Sequence, residues 1–116
     1  MWTDGNVFLK GAQPSKYEKD PLVKPDFDPA VRLVEEGDGF YLEVKFDPAW
    51  NAARTRKLVT TKLLGRAIIP NVPFEQRDGK PICINTDYFN RSRNESNPTP
   101  GPFENPGWGD LKLKVW

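Results

Sequence analysis

The chain has 116 residues, which is the size of one domain, and its 17 basic and 16 acidic residues are mixed along the sequence. This balance excludes a basic surface that neutralises a phosphate backbone, and no apolar run is long enough to cross a membrane, so we predict neither a nucleic-acid nor a membrane partner. The sequence contains no histidine, which excludes the usual imidazole base and the usual zinc site.

Residues 31–46 carry the first strong pattern, an alternation of apolar and polar side chains. The apolar side chains stand at every second position: Phe40, Leu42, Val44 and Phe46. A period of two is typical of a strand with one buried face. Gly37 and Gly39 flank Asp38 and allow the positive φ that a tight reversal needs. The segment predicts a β-hairpin.

The next segment begins with a pair of residues that commonly starts a helix. Asp47 is suited to capping, and Pro48 is suited to the first helical position. We predict one short helix over residues 48–54 and no other.

Three later segments predict strands. Residues 58–70 are rich in β-branched side chains and predict one long strand, or two short ones broken at the glycine. Residues 73–84 predict a second hairpin that turns at residues 78–79, in which Cys83 is buried and inert. Alternation over residues 111–116 predicts a terminal strand that docks into a sheet.

Together these segments amount to roughly six to eight short strands with little helix. We therefore predict a mainly β fold, an antiparallel β-sandwich or a barrel-like sheet with at most one short helix, as a single domain over residues 1–116. A parallel β-helix is the alternative, but the sequence has no internal repeat of the required period.

Nearby carboxylates are candidates for glycosidase chemistry, which needs two acids facing each other across the scissile bond. The candidate pairs are Asp26 with Asp28, Glu35 with Asp38, and Asp87 with Glu95. Each pair also fits a turn, a cap or a solvated hairpin tip, so we assign no catalytic residue. The acidic loops suit calcium in ligand type but lack the EF-hand spacing, and we predict no metal and no cofactor.

Three aromatic residues are candidates for carbohydrate binding, because an exposed ring can stack on the apolar face of a sugar. They are Trp50, Tyr88 and Trp108, and Trp108 stands among glycine and proline in a predicted surface loop. The alternative is that these rings cover sheet edges or pack against a neighbouring domain. We expect Trp2 and Trp116, near the two ends of the chain, to make such an interdomain contact.

The segment INTDYFNRSRNESNPTPGPFE, residues 84–104, resembles the closing segment of bacterial, Bacteroidetes-type proteins with a right-handed parallel β-helix. In those carbohydrate-active proteins a D-x-D-G-x-x-R-like turn precedes a proline-bearing loop and an ending such as D-I-G-A-F-E. Residues 87–93 are similar to the turn, with Asn90 in place of glycine, and residues 100–104 are similar to the ending. The opening GNVFLKGA, residues 5–12, is similar to a last helical coil.

The resemblance implies a non-catalytic C-terminal accessory module that caps the β-helix of a secreted or periplasmic glycoside hydrolase or polysaccharide lyase. Residues 1–26 would then be a linker or last-coil segment. The implied partners are the preceding β-helix catalytic domain of the same parent chain and a polysaccharide. The matching elements of that family are structural, so the resemblance assigns the pinning of a turn to a set of five residues: Asp87, Asn90, Arg91, Arg93 and Glu104.

Two alternative functions remain open from the residues alone. One is an independent carbohydrate-binding module that uses the three aromatic candidates. The other is a small glycosidase with a carboxylate pair, which requires two acids that face each other in a cleft.

Overall fold

The computed structural model describes residues 3–53 and 55–116. In chain order the elements are β1 (Val7–Leu9), β2 (Leu22–Lys24), β3 (Arg32–Glu36), β4 (Gly39–Phe46), α1 (Ala49–Ala52), α2 (Thr61–Leu64) and β5 (Gly109–Lys114). The prediction of a mainly β fold is confirmed. No helix in the described ranges has the length and apolar character to cross a membrane.

The antiparallel sheet β3–β4–β5 confirms both the predicted first hairpin and the docking of the terminal strand. Leu42 of β4 lies opposite Leu33 on one side and Leu113 on the other. Residues that face each other across an antiparallel ladder share a face of the sheet. The alternation read from the sequence therefore places one apolar row across all three strands.

The other face of this sheet is polar. Glu43 lies opposite Arg32 and Lys112, and the Lys112 ammonium lies 4.9 Å from the centre of the Tyr41 ring. Charged pairs span this face: Arg32–Glu43, Lys45–Asp110, Lys112–Glu36 and Lys114–Asp38. Because its side chains are charged, this face is the solvated side of the sheet. Exposed ion pairs of this kind contribute little to stability.

A second sheet pairs β1 with β2, and this pair is parallel. The start of the chain thus adds a small parallel sheet to the antiparallel three-stranded sheet. Each residue pairs with the one fifteen positions later, as Val7 does with Leu22 and Asp4 with Lys19. A parallel pair needs a crossover, which is usually a helix, yet the described connection between these strands has none. The chain between β1 and β2 runs back through turns and irregular segments, so that β2 lies parallel to β1.

The predicted helix after residue 47 is confirmed as a single turn. The Asp47 Oδ1 accepts a hydrogen bond from the Ala49 amide at 2.8 Å, and α1 covers Ala49–Ala52. The predicted end of the helix, Arg54, lies outside the described residues.

Residues 58–70 do not form the predicted strand, because the chain makes a second helical turn, α2. The Thr60 hydroxyl accepts a hydrogen bond from the Leu63 amide at 3.2 Å, and Gly65 ends the turn with φ +74°. Threonine favours strands by packing, but at a helix N-cap its hydroxyl satisfies an amide that has no helical partner. The prediction of at most one helix fails for this local reason.

The second predicted hairpin is present only as a turn. Glu75 bridges to Pro81, and Gly79 has φ +79°, but no regular strand forms between residues 73 and 84. Pro73 and Pro81 have no amide hydrogen to donate, which prevents a continuous ladder. Cys83 is exposed, so the prediction that it is buried is wrong.

The described core is small. Among the described residues, the buried hydrophobic side chains are Trp50 and Phe103. Phe27 and Phe46 pack edge-to-face on Trp50, with ring centres at 5.5 and 5.0 Å. Pro98 is also buried, and four further buried side chains are polar or charged: Arg56, Asp87, Thr99 and Glu104. Hydrogen bonds between polar groups thus stabilise much of the interior.

Candidate functional site

The turn over residues 87–91 is organised around one buried carboxylate. The Asp87 side chain has no solvent-accessible surface. Its Oδ1 accepts hydrogen bonds from the Phe89 and Arg91 amides at 2.8 and 2.9 Å, and its Oδ2 accepts one from the Glu104 amide at 2.9 Å. A single side chain thus connects the turn to the segment that precedes β5.

The pKa of Asp87 reflects two opposing effects. Burial raises it, because a low-polarity environment disfavours the charged form. The amides of Glu104, Arg91 and Phe89 and the Arg91 guanidinium lower it, and together they hold the pKa below the ordinary aspartate value. Asp87 is therefore a charged structural carboxylate at neutral pH.

Asn90 has φ +59°, in the left-handed region that glycine adopts most readily. Its amide donates to the Asp87 carbonyl at 3.0 Å, which closes the turn. Asparagine tolerates this conformation better than most residues. The Arg91 guanidinium lies 3.4 Å from Asp87 Oδ2 and also over the Phe89 ring, with 4.9 Å to the ring centre.

Arg93 bridges two parts of the closing segment. Its guanidinium donates to three backbone carbonyls: Thr86 at 3.1 Å, Thr99 at 3.1 Å and Gly101 at 2.7 Å. It also lies 3.9 Å from the Glu104 carboxylate, and Glu104 is 5% exposed. The structure therefore brings all five of the predicted turn residues into one network.

Sequence reasoning missed two members of the buried polar interior, Thr99 and Arg56. The Thr99 amide donates to Glu104 Oε2 at 3.0 Å, and the Arg56 guanidinium donates to the carbonyls of Gly5 and Trp50, both at 2.8 Å. An isolated threonine between prolines and an arginine in a basic stretch carry no sequence signal of burial. Their partners are up to 51 residues away along the chain.

A cleft of about 630 Å³ lies between the start of the chain and this interior. Its lining includes Val7 and Leu9 of β1, the two arginines Arg56 and Arg93, and Pro100. The two guanidinium groups are mostly buried and donate chiefly to backbone carbonyls. These bonds give the arginines a structural task in joining distant segments.

The three candidate sugar-stacking residues are placed differently from one another. Trp50 is 4% exposed and packs on Phe27 and Phe46, which leaves no open ring face for a sugar. Tyr88 is 51% exposed, its ring contacts Phe89 and Phe103, and its hydroxyl donates to the Val115 carbonyl. Trp108 is 42% exposed. Only the last two present a surface that a ligand can reach.

Three of the candidate acids, Asp28, Asp38 and Asp87, have the electrostatics of structural carboxylates. The pKa of Asp28 is lowered by a hydrogen bond from Lys10, and that of Asp38 by one from Lys114. The pKa of Asp87 is lowered as well. A glycosidase general acid needs a raised pKa, so these three shifts run in the opposite direction. In the described ranges no three side chains of the metal-binding types cluster as a metal site.

Several large apolar side chains face solvent. The most exposed are Ile69 at 95%, Ile68 at 87% and Trp116 at 83%. Val31 and Leu33, at 60% and 65%, lie at the edge formed by β3. Single exposed apolar side chains are common on proteins, whereas adjacent ones such as Ile68 and Ile69 are candidates for a contact surface.

Comparisons with known proteins give one informative similarity. No family model matches the chain, and no curated protein matches significantly. A solved structure of XylC in complex with xylose is similar over 97% of this chain, with 34% sequence identity and a TM-score of 0.84. The chain spans 17% of the length of that XylC chain. The fold described above therefore resembles a small part of a larger protein that was solved with a bound sugar.

Proposed function

We propose that this chain is a non-catalytic accessory module of a larger, secreted or periplasmic polysaccharide-degrading protein, a glycosidase or a lyase. One observation carries the proposal: nearly the whole chain is similar to 17% of XylC, at an identity that exceeds fold likeness alone. A unit that corresponds to a small part of a larger chain is expected to work next to other parts.

The parallel pair β1–β2 supports the finer proposal that the module closes a right-handed β-helix. A constant offset of fifteen residues without a crossover helix places two consecutive segments side by side in parallel, as two stacked coils would be. A two-stranded parallel sheet is rarely stable alone, because parallel sheets are normally extended and covered on both faces. A further parallel strand at the open edge of β1, from a preceding domain, would complete it.

The small core supports the same proposal. Few apolar side chains are buried, while residues such as Ile69 and Trp116 face solvent. Contacts with a neighbouring domain would bury this surface and cover an exposed sheet edge.

The non-catalytic part of the proposal rests on the lowered pKa values of Asp28, Asp38 and Asp87. The test is to express residues 1–116 and assay the purified chain on a panel of xylans, pectins and host glycans. We expect no release of reducing ends and no unsaturated products. Either product, made by the wild type and by Asp110→Asn but absent from a mock purification, would overturn the non-catalytic assignment.

A second candidate function is carbohydrate binding by the module itself. The specific observations are the exposed rings of Tyr88 and Trp108 and the xylose bound to the similar protein. Titration of xylose, xylo-oligosaccharides and polysaccharides should quench tryptophan fluorescence in the wild type and not in Trp108→Ala. Trp116→Ala, which changes a ring that is 83% exposed elsewhere, is the control. Flat titrations would remove this candidate.

A further inference from the structure

The loop over residues 66–73 carries two isoleucines at its tip, and their side chains are almost fully in solvent. Ile68 is 87% exposed and Ile69 is 95% exposed. Placing two such side chains in water loses the stabilisation that burial would give, so a monomer gains nothing from them. The two isoleucines line a shallow depression of about 510 Å³ together with Leu64, Phe74 and Arg66.

This loop is held in one conformation by its own hydrogen bonds. The Ala67 amide donates to the Val72 carbonyl at 2.9 Å, and the Asn71 amide donates to the Ala67 carbonyl at 3.0 Å. The Arg66 Nε donates to the Asn71 carbonyl and to its side-chain oxygen, at 2.8 and 2.9 Å. An ordered loop loses little conformational entropy on binding, so its two apolar side chains are suited to anchor a contact.

We propose that residues 66–73 form a docking loop, in which Ile68 and Ile69 insert into an apolar surface of the rest of the parent polypeptide. This inference rests on the proposed function. The occupant follows from the comparison, because the matched region of XylC is embedded in a chain of which it makes up 17%. Ile68 and Ile69 carry no charge, and the Arg66 guanidinium of the same loop is already hydrogen-bonded to Asn71, so we expect the surface that meets the tip to be apolar. A desolvated charge there would remain unpaired.

The experiment compares one double substitution in two contexts. Ile68→Ser with Ile69→Ser is made in the isolated chain and in a chimaera in which this chain replaces the matched region of XylC. In the isolated chain the melting temperature should change by less than about 1 °C, because both side chains are already exposed. In the chimaera the transition of the module should fall by about 5 °C, because a buried contact is lost. Ile68→Val with Ile69→Val, which keeps an apolar surface, should leave the isolated chain unchanged and lower the transition in the chimaera clearly less than the serine pair does.

The outcomes separate the two proposals. If the chimaera stabilises the module but the serine variant shifts both contexts equally, the docking loop is wrong and the accessory function stands. If the module melts at the same temperature in both contexts, the accessory function fails, and the docking loop fails with it. If the chimaera does not fold, the solved XylC structure provides the test. The XylC residues that align with Ile68 and Ile69 should be less than roughly one tenth exposed to solvent. Solvent-exposed tips there would overturn the inference.

Discussion

Gly39 and Trp116 approach each other so closely that a side chain on Gly39 has no room. A Cβ atom built on Gly39 would lie 2.1 Å from the Trp116 carbonyl oxygen, and Gly39 has φ +143°. The same carbonyl accepts a hydrogen bond from the Phe40 amide at 2.8 Å. The backbone of Trp116 therefore packs against the start of β4, next to the turn that joins β3 and β4.

We expect Gly39→Ala to destabilise the protein by more than about 2 kcal/mol, because it combines a steric clash with an unfavourable φ. Urea unfolding followed by tryptophan fluorescence measures the change. Gly37→Ala is the matched control, since a Cβ at Gly37 meets nothing within 4 Å. Equal free energies of unfolding for the two variants would contradict the close approach.

The buried carboxylate of Asp87 predicts a specific dependence of stability on pH. Its folded pKa lies below the unfolded value of 3.8. The unfolded chain therefore binds the proton first, so the contribution of Asp87 is fully present above that pH and is lost as the pH falls through the folded pKa. Asp87→Asn should lower the urea midpoint at neutral pH, because an amide would face the amide donors of its neighbours.

The difference between wild type and Asp87→Asn should shrink as the pH falls below about 4, where the wild-type carboxylate is progressively protonated. Asp110→Asn is the control, because the Asp110 side chain is 86% exposed and its pair with Lys45 spans 3.8 Å. It should change the midpoint little at any pH. A constant difference down to the most acidic pH would contradict a charged, buried Asp87.

Phe103 is 3% exposed and contacts both Tyr88 and Phe89, with ring centres at 5.8 and 5.3 Å. We expect Phe103→Ala to cost about 3–5 kcal/mol, through lost burial and the cavity that remains. Differential scanning calorimetry measures the loss. Phe74→Ala, at a site that is 40% exposed, should cost clearly less. Similar losses at both sites would show that Phe103 is not a core residue.

Removing the N-cap hydrogen bond of α2 should lower the free energy of unfolding by a smaller amount. Thr60→Val keeps the shape of the side chain but removes the oxygen that accepts from the Leu63 amide, and it should cost about 1 kcal/mol. Thr60→Ser keeps the oxygen and should cost less. The free energy of unfolding in urea distinguishes them. A Thr60→Val variant as stable as Thr60→Ser would argue for a strand in this segment.

The candidate site shows which residues could be recognised in advance. Asp87, Asn90 and Arg91 lie within one turn, and the resemblance of this short segment to a family turn was sufficient to assign them a common role. Thr99 and Arg56 could not be recognised in the same way, because burial of a polar side chain depends on distant partners. Trp50 illustrates the same limit: its exposure depends on Phe27 and Phe46, which the sequence does not place beside it.

Local sequence by itself determined the sheet β3–β4–β5, because a period of two and a glycine turn act on neighbouring residues and leave one apolar face to bury. It also determined the helical turn after Asp47 and the carboxylate-centred turn at residues 87–91. Only the tertiary structure decided that β1 and β2 pair in parallel and that Trp50 is enclosed. These outcomes depend on hydrogen bonds and contacts between distant segments, where the local preferences of the chain are weak.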